Sequence, residues 1–161
     1  MSHRVRTAVS AAVLAVTSAA ALAVTAAPAS AAPAGEGATF TVTLTRTAAA
    51  GLGAQEVITC GGSVGYPWVL GIDVRVDVFA SCDAPVDLIS VAAGVEADGV
   101  LVADNGGTRA ATSSHSVAST YQCLGTTKTY RGVGVVTFTK YGYQGSPLTM
   151  GGATPRITLS C

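Results

Sequence analysis

Charge, histidine and tryptophan are all scarce in this 161-residue chain, and each shortage narrows what the protein can do. Only 11% of residues are charged, and no run of lysine or arginine occurs anywhere, so a phosphate backbone or an anionic lipid surface finds nothing to neutralise it. Nucleic acid is therefore not an expected partner. His3 and His115 are the two histidines, and Trp68 is the single tryptophan. The four cysteines never fall at the C-x-x-C spacing that would suggest zinc or thiol exchange. No stretch has the 3.6-residue apolar period of a helix, and no internal repeat is present beyond a rhythm of strands and turns.

What is present begins with an address. Arg4 and Arg6 make a small positive start, and an uncharged Ala/Val/Leu-rich run follows from Thr7 to about Ala27. Small residues then surround Ala29-Ser30-Ala31-Ala32, with cleavage expected after Ala31 or Ala32. This is the pattern of a secretory signal peptide over residues 1–31. No cysteine lies near the cleavage site and Val5 separates the two arginines, so neither a lipid anchor nor twin-arginine export is expected. Residues 32–37 read as a flexible small-residue leader, and residues 38–161 as a single domain. Without residues 1–31 the chain has seven basic and nine acidic residues, a net charge of −2. The expected location is outside the cell, with no stable membrane anchor after cleavage.

Cys60, Cys82, Cys123 and Cys161 all lie in the exported part, and an even number in an oxidising compartment reads as two disulfides. Three connectivities are open. Sequential pairing, Cys60 with Cys82 and Cys123 with Cys161, is expected because each pair brackets what read as neighbouring strands.

Residues 71–82, Gly-Ile-Asp-Val-Arg-Val-Asp-Val-Phe-Ala-Ser-Cys, organise the rest. Alternation at a period of two puts Ile72, Val74, Val76 and Val78 on one face, and Asp73, Arg75 and Asp77 on the other. Residues 38–46 alternate as strictly, with Phe40, Val42 and Leu44 inward and threonines outward. Residues 48–53 read as a loop, and residues 56–60 as a short strand ending at Cys60. Gly61-Gly62 and Tyr66-Pro67-Trp68 lead into the organising strand, and Pro85 precedes a restart at residues 86–91. Asp98-Gly99 signals a hairpin, and Asp104-Asn105-Gly106-Gly107 reads as the strongest turn. Strands are expected over residues 116–124, 130–139 and 156–161, with a bulge where the inward face switches near Val135. About eight short strands imply an all-β fold, an antiparallel immunoglobulin-like sandwich or a small barrel.

Catalytic constellations are thin. His115 sits among serines in a polar segment and reads as a solvated side chain, not a general base. Asp73 and Asp77 are separated by Arg75 and read as an exposed charge ladder. Glu96, Asp98, Asp104 and Asn105 offer the oxygen ligands calcium prefers, but the EF-hand spacing is missing and these are ordinary turn residues. No metal, no cofactor and no enzymatic activity are expected. The aromatics carry the one functional hint: Tyr66 and Trp68 in one loop, Tyr141 and Tyr143 in another, as side chains that grip a carbohydrate or a protein surface.

Three likenesses accompany this reading. Tyr121-Gln122-Cys123 resembles the Tyr-x-Cys of an immunoglobulin-type strand, which implies a sandwich. The Ala-rich leader, the four-cysteine layout and the closing Ile157-Thr158-Leu159-Ser160-Cys161 resemble small exported proteins of actinomycetes. The two sequential disulfides are similar in layout to the subtilisin-inhibitor family. That likeness implies a protease inhibitor as an alternative function, with Lys128 as the specificity residue. In the family a proline follows the loop cysteine; here Leu124-Gly125-Thr126-Thr127-Lys128 follows Cys123 instead. A small secreted hydrolase is a second alternative.

Overall fold

The structure is a computed structural model that describes residues 37–46 and 55–161. The expected signal peptide over residues 1–31, residues 32–36 of the expected leader and the expected loop at residues 48–53 lie outside the described residues. Alternating β-branched and polar residues, punctuated by glycine, produce eight strands: β1 (Ala38–Arg46), β2 (Glu56–Val64), β3 (Trp68–Leu70), β4 (Asp73–Ala97), β5 (Val100–Gln122), β6 (Thr127–Thr139), β7 (Leu148–Ala153) and β8 (Ile157–Ser160). All pairings are antiparallel. Among the described residues there is no helix, and hence none long and apolar enough to cross a membrane.

β4 and β5 form one long hairpin about which the sheet is wound. The turn between them is Asp98-Gly99, with φ of 49° and 89°, the left-handed geometry that matches strand twist. β5 pairs along one edge of β4 for nearly its whole length, while the other edge of β4 changes partner midway. Residues 73–82 take β3 and β2 on that edge, and residues 88–97 take β6. The change happens where the register slips between Ser81 and Val86, around Pro85, which has no N–H to give to a ladder. The slip also reverses which residues point inward. Val74, Val76, Val78 and Ala80 are buried before it, and Ile89, Val91, Ala93, Val95 and Ala97 after it.

Following hydrogen-bonded neighbours from β1 gives β1-β2-β4-β6-β7, a sheet curled until it nearly closes as a barrel. At one seam Thr45 of β1 bridges Gln144, just before β7, with the Gln144 N–H donating to the Thr45 carbonyl at 2.8 Å. At the other seam β5 doubles back at Ala111 (φ 48°), and its two halves meet through the Asn105 side chain, which donates to the carbonyl of Ala118 at 2.8 Å.

The core is thin, and glycine makes it so. Tyr130, Gly132, Gly134, Val136 and Phe138 point inward from β6. A Cβ at Gly134 would lie 2.7 Å from a Val64 methyl and 2.8 Å from one of Val78, and one at Gly132 would meet the Gly65 carbonyl at 2.7 Å. The absence of side chains at these two positions lets the opposite wall come into contact. Both disulfides follow sequential pairing. Cys60 and Cys82 face one another directly across β2 and β4, while Cys123 and Cys161 tie the end of β5 to the end of β8.

Several local expectations are corrected. The expected switch of face near Val135 does not occur: β6 runs in continuous register with β4, because the inward positions that looked empty in the sequence are Gly132 and Gly134. Asp104-Asn105-Gly106-Gly107 is not a turn but part of β5, opposite residues 91–94. There the Asn105 side chain accepts the Gly106 N–H at 2.9 Å and spans the seam, and these contacts override its turn preference. β2 continues through Gly61-Gly62 to Val64. Ile72 is not inward but 58% exposed, since it occupies the β3–β4 turn beside Gly71 (φ 66°). β7, rich in glycine and short side chains, had no strand signature. The likeness of Tyr121-Gln122-Cys123 to an immunoglobulin strand ends with those residues, because Cys123 bonds to Cys161 and not to a cysteine of the opposite wall.

Candidate ligand-binding surface

Trp68 is the best-organised exposed side chain. It stands on the outer face of β3 directly opposite Arg75 of β4, and 43% of it remains exposed. Alternation along β4 puts Arg75 and Asp77 on that same outer face. The indole Nε1–H donates to Asp77 Oδ2 at 3.2 Å, and the Arg75 guanidinium carbon lies 5.8 Å from the ring centroid. Arg75 in turn grips Asp77 through Nε at 3.0 Å and a terminal nitrogen at 2.6 Å. The bidentate Arg75 bond, aided by the Trp68 N–H, holds the Asp77 carboxyl below its ordinary range against the opposing effect of burial. The same bond raises the Arg75 guanidinium further. An indole fixed by a hydrogen bond and a cation–π contact loses little further rotamer freedom when a ligand stacks on it. Beside the ring, Asp77 and Arg75 supply an acceptor and donors.

The other three aromatics do not join it. Tyr66 is half-buried in the segment before β3. Tyr141 is 73% exposed, and its backbone N–H donates to Asp87 Oδ2 at 2.6 Å. Tyr143 is 7% exposed and belongs to the core, which corrects its reading as a surface aromatic. Its phenol pKa is raised by a hydrogen bond to Glu56, with burial adding to the effect. Glu56 begins β2 and Val64 ends it, so Tyr143 and the Tyr66–Trp68 segment lie at opposite ends of a nine-residue strand, about 26 Å at ~3.3 Å per residue. The two aromatic segments are separate places on the barrel.

Lys128 lies within β6 opposite Leu159, its ammonium 5.8 Å from the Tyr121 ring centroid. The segment between Cys123 and β6 is a tight turn, with Thr126 Oγ1 donating to the Cys123 carbonyl at 2.8 Å. Lys128 is thus part of a strand and is not presented on an extended loop. His115 faces Ala80 across the β4–β5 ladder, with its ring against Gly107. Both ring nitrogens are buried without a hydrogen-bond partner, so the solvated reading is corrected and no serine–histidine–carboxylate relay runs through it.

The sequence reading passed over Gly61-Gly62-Ser63-Val64-Gly65, which has the Gly-x-Ser-x-Gly spacing of a nucleophile elbow. Here the motif spans β2, and Ser63 points to the outer face while His115 points to the inner one. It is a strand, not an elbow.

The acidic residues weighed for calcium are dispersed. The Glu96 carboxylate receives Arg131 at 2.6 Å and Arg156 at 2.8 Å, and Asp98 Oδ1 accepts the Thr129 N–H at 3.0 Å. Among the described residues no three His, Cys, Asp or Glu side chains converge as a metal site. A shallow trough of about 360 Å³ lies on the outer face of β4, β6 and β7, lined by Ala92, Gly94, Leu101, Val133 and Val135 with Asp104 as its polar side chain. It is remote in the sheet from Trp68 and lacks the donors and acceptors that a polyhydroxylated ligand requires. Sequence reading also gave no notice of the apolar end of the barrel, where Leu70 and Leu124 are 48% and 71% exposed. Leu124 lies in a turn, which carries no periodicity from which exposure can be read, and Leu70 ends a three-residue strand too short to show one.

No protein-family model matches the chain. No curated protein matches it either. Among solved structures it is similar to one titled "Crystal structure of protein from Archaeoglobus fulgidus", at 12% identity over 62% of this chain and 94% of that one, with a TM-score of 0.34. A likeness that slight supports no statement about fold or function.

Proposed function

We propose that this chain is an exported, non-enzymatic β domain that binds an extracellular carbohydrate through the outer face around Trp68. The observation that carries the reading is the clamped indole. A partly exposed aromatic ring, fixed by Asp77 and Arg75, offers a flat apolar face with hydrogen-bonding groups at its edge, which is what a sugar ring requires. Two disulfides fit an oxidising compartment, and the leader fits export to one. The Gly-x-Ser-x-Gly spacing at residues 61–65 lies on β2 with Ser63 and His115 on opposite faces, which favours a binding role.

Retention on insoluble cell-wall and plant polysaccharides tests this. The wild-type chain is expected to be retained on at least one, and Trp68→Ala to pass through with its disulfides intact. Tyr143→Phe should be retained like wild type, because that side chain is inside. Absence of retention on every polysaccharide, or equal retention of Trp68→Ala, would remove the carbohydrate reading.

A further inference from the structure

Two turns meet at one end of the barrel. β3 passes into β4 through Gly71 and Ile72, and β5 is followed by Cys123-Leu124-Gly125, where Leu124 and Gly125 have φ of 49° and 72°. The Cys123 N–H donates to the Ile72 carbonyl at 2.8 Å, which holds the turns side by side, and the Cys123–Cys161 disulfide pins the second. Leu70, Ile72 and Leu124 project there, 48%, 58% and 71% exposed. Turns ordinarily carry glycine, asparagine, aspartate or serine. A leucine at positive φ is costly to the backbone, and nothing in the packing of Leu124 repays it, which directs attention to a role in solution.

We propose that Leu70, Ile72 and Leu124 form an apolar finger that inserts reversibly into the surface of a lipid bilayer. Ile72 and Leu124 sit in the two turns, and Leu70 is the last residue of β3 beside them. The residues of the finger are ordered as a bilayer is. Aliphatic side chains are outermost, and Trp68 stands two residues behind Leu70 on the same face, level with Arg75 of β4. Tryptophan and basic residues occupy that level at membrane interfaces. Asp77 neutralises Arg75 at 2.6 Å, so insertion rests on apolar burial and is expected to be nearly insensitive to salt. Three side chains give weak, exchangeable attachment and not an anchor. This inference does not depend on the carbohydrate reading, which uses the Trp68 face and not the finger.

The single tryptophan makes the test direct. The protein, as recovered from expressing cells, is mixed with phosphatidylcholine vesicles whose acyl chains carry bromine, a short-range quencher. Trp68 fluorescence is expected to be quenched, and a Leu70→Ser/Ile72→Ser/Leu124→Ser variant with the same amino terminus should require about tenfold or more lipid for equal quenching. Leu124→Asn guards against misfolding, because asparagine tolerates positive φ; it should be at least as heat-stable as wild type and still bind lipid less well. No quenching, or equal quenching of wild type and both variants, overturns the proposal. So does a wild-type dimer in lipid-free solution that the serine variant converts to monomer, which would assign the finger to a second copy of the chain. Loss of polysaccharide retention in Trp68→Ala while that variant still co-sediments with the vesicles, and retention of the triple-serine variant on polysaccharide while it no longer co-sediments, separate the two proposals.

Discussion

Asn105 and Ala118 lie 13 residues apart on one strand, yet the Asn105 side-chain amide donates to the Ala118 carbonyl at 2.8 Å. A strand can bond to itself in this way only because β5 reverses at Ala111, and the contact closes one of the two seams of the barrel. Asn105→Ala removes the bond and should lower stability by about 1 kcal/mol, the net worth of an exposed hydrogen bond. Native-state hydrogen exchange should quicken along β5 more than along β2. Uniform quickening across the sheet would mean that the seam is not a local unit.

The glycines of β6 make a stronger prediction. A methyl at residue 134 meets Val64 and Val78 below 3 Å, so Gly134→Ala overpacks the core and should cost roughly 1–3 kcal/mol. Gly132→Ala should cost more, because a backbone carbonyl, which yields less than a valine methyl, stands in its way. The midpoint of urea denaturation checks both. Neutral behaviour of Gly134→Ala would show that the opposite wall can retreat.

Those glycines also show where the sequence was legible. Period-two alternation revealed β1 and the first half of β4 because valine, leucine and phenylalanine mark the buried face. It misled in β6, where the inward residues are glycine and carry no apolar signal. Asp104-Asn105-Gly106-Gly107 misled for the opposite reason: strong turn chemistry was overruled by pairing with β4 and by the seam bond of Asn105. Pairing of the disulfides was legible, since cysteines at strand ends needed neighbouring strands. The sequence offered four aromatics as surface side chains, of which Trp68 and Tyr141 are exposed, Tyr66 is half-buried and Tyr143 is in the core. It could not separate Tyr143 from Tyr141, because two residues in a glycine-rich loop follow no period. The Arg75–Asp77 pair was read as a ladder, and its grip on the indole depends on the β3–β4 register, which no local pattern fixes.

Acid should weaken the fold through Glu96. Hydrogen bonds from Arg156 and Arg131 hold its carboxyl below the usual 4.5, so the folded state binds a proton less readily than the unfolded one. The stabilisation is complete above that value and is lost as pH falls through the lower, folded one. Glu96→Gln is expected to reduce stability at neutrality, by leaving two arginines without their carboxylate, and to flatten the loss of stability as pH falls below 4.5. An unchanged pH profile in the variant would place the acid sensitivity elsewhere.

The Cys123–Cys161 bridge closes a loop of 38 residues and the Cys60–Cys82 bridge one of 22. Chain entropy assigns each about 3–4 kcal/mol. Cys123→Ser/Cys161→Ser should release β8, which pairs only with β6, and raise exchange at residues 157–160, while Cys60→Ser/Cys82→Ser loosens β2 against β4. Thermal melting together with exchange distinguishes the two. A double variant that melts with wild type would contradict the assigned role of the bridge.

The central claim is that the clamped indole of Trp68 is the working surface. Titration of the intrinsic fluorescence of the single tryptophan with soluble fragments of the retained polysaccharide tests it most directly. A saturable change is predicted for wild type, weakened about tenfold in Asp77→Asn, where the carboxylate that orients the ring and pairs with Arg75 is lost. A fluorescence that stays constant while the fragments still bind would put the ligand elsewhere on the barrel and contradict the account.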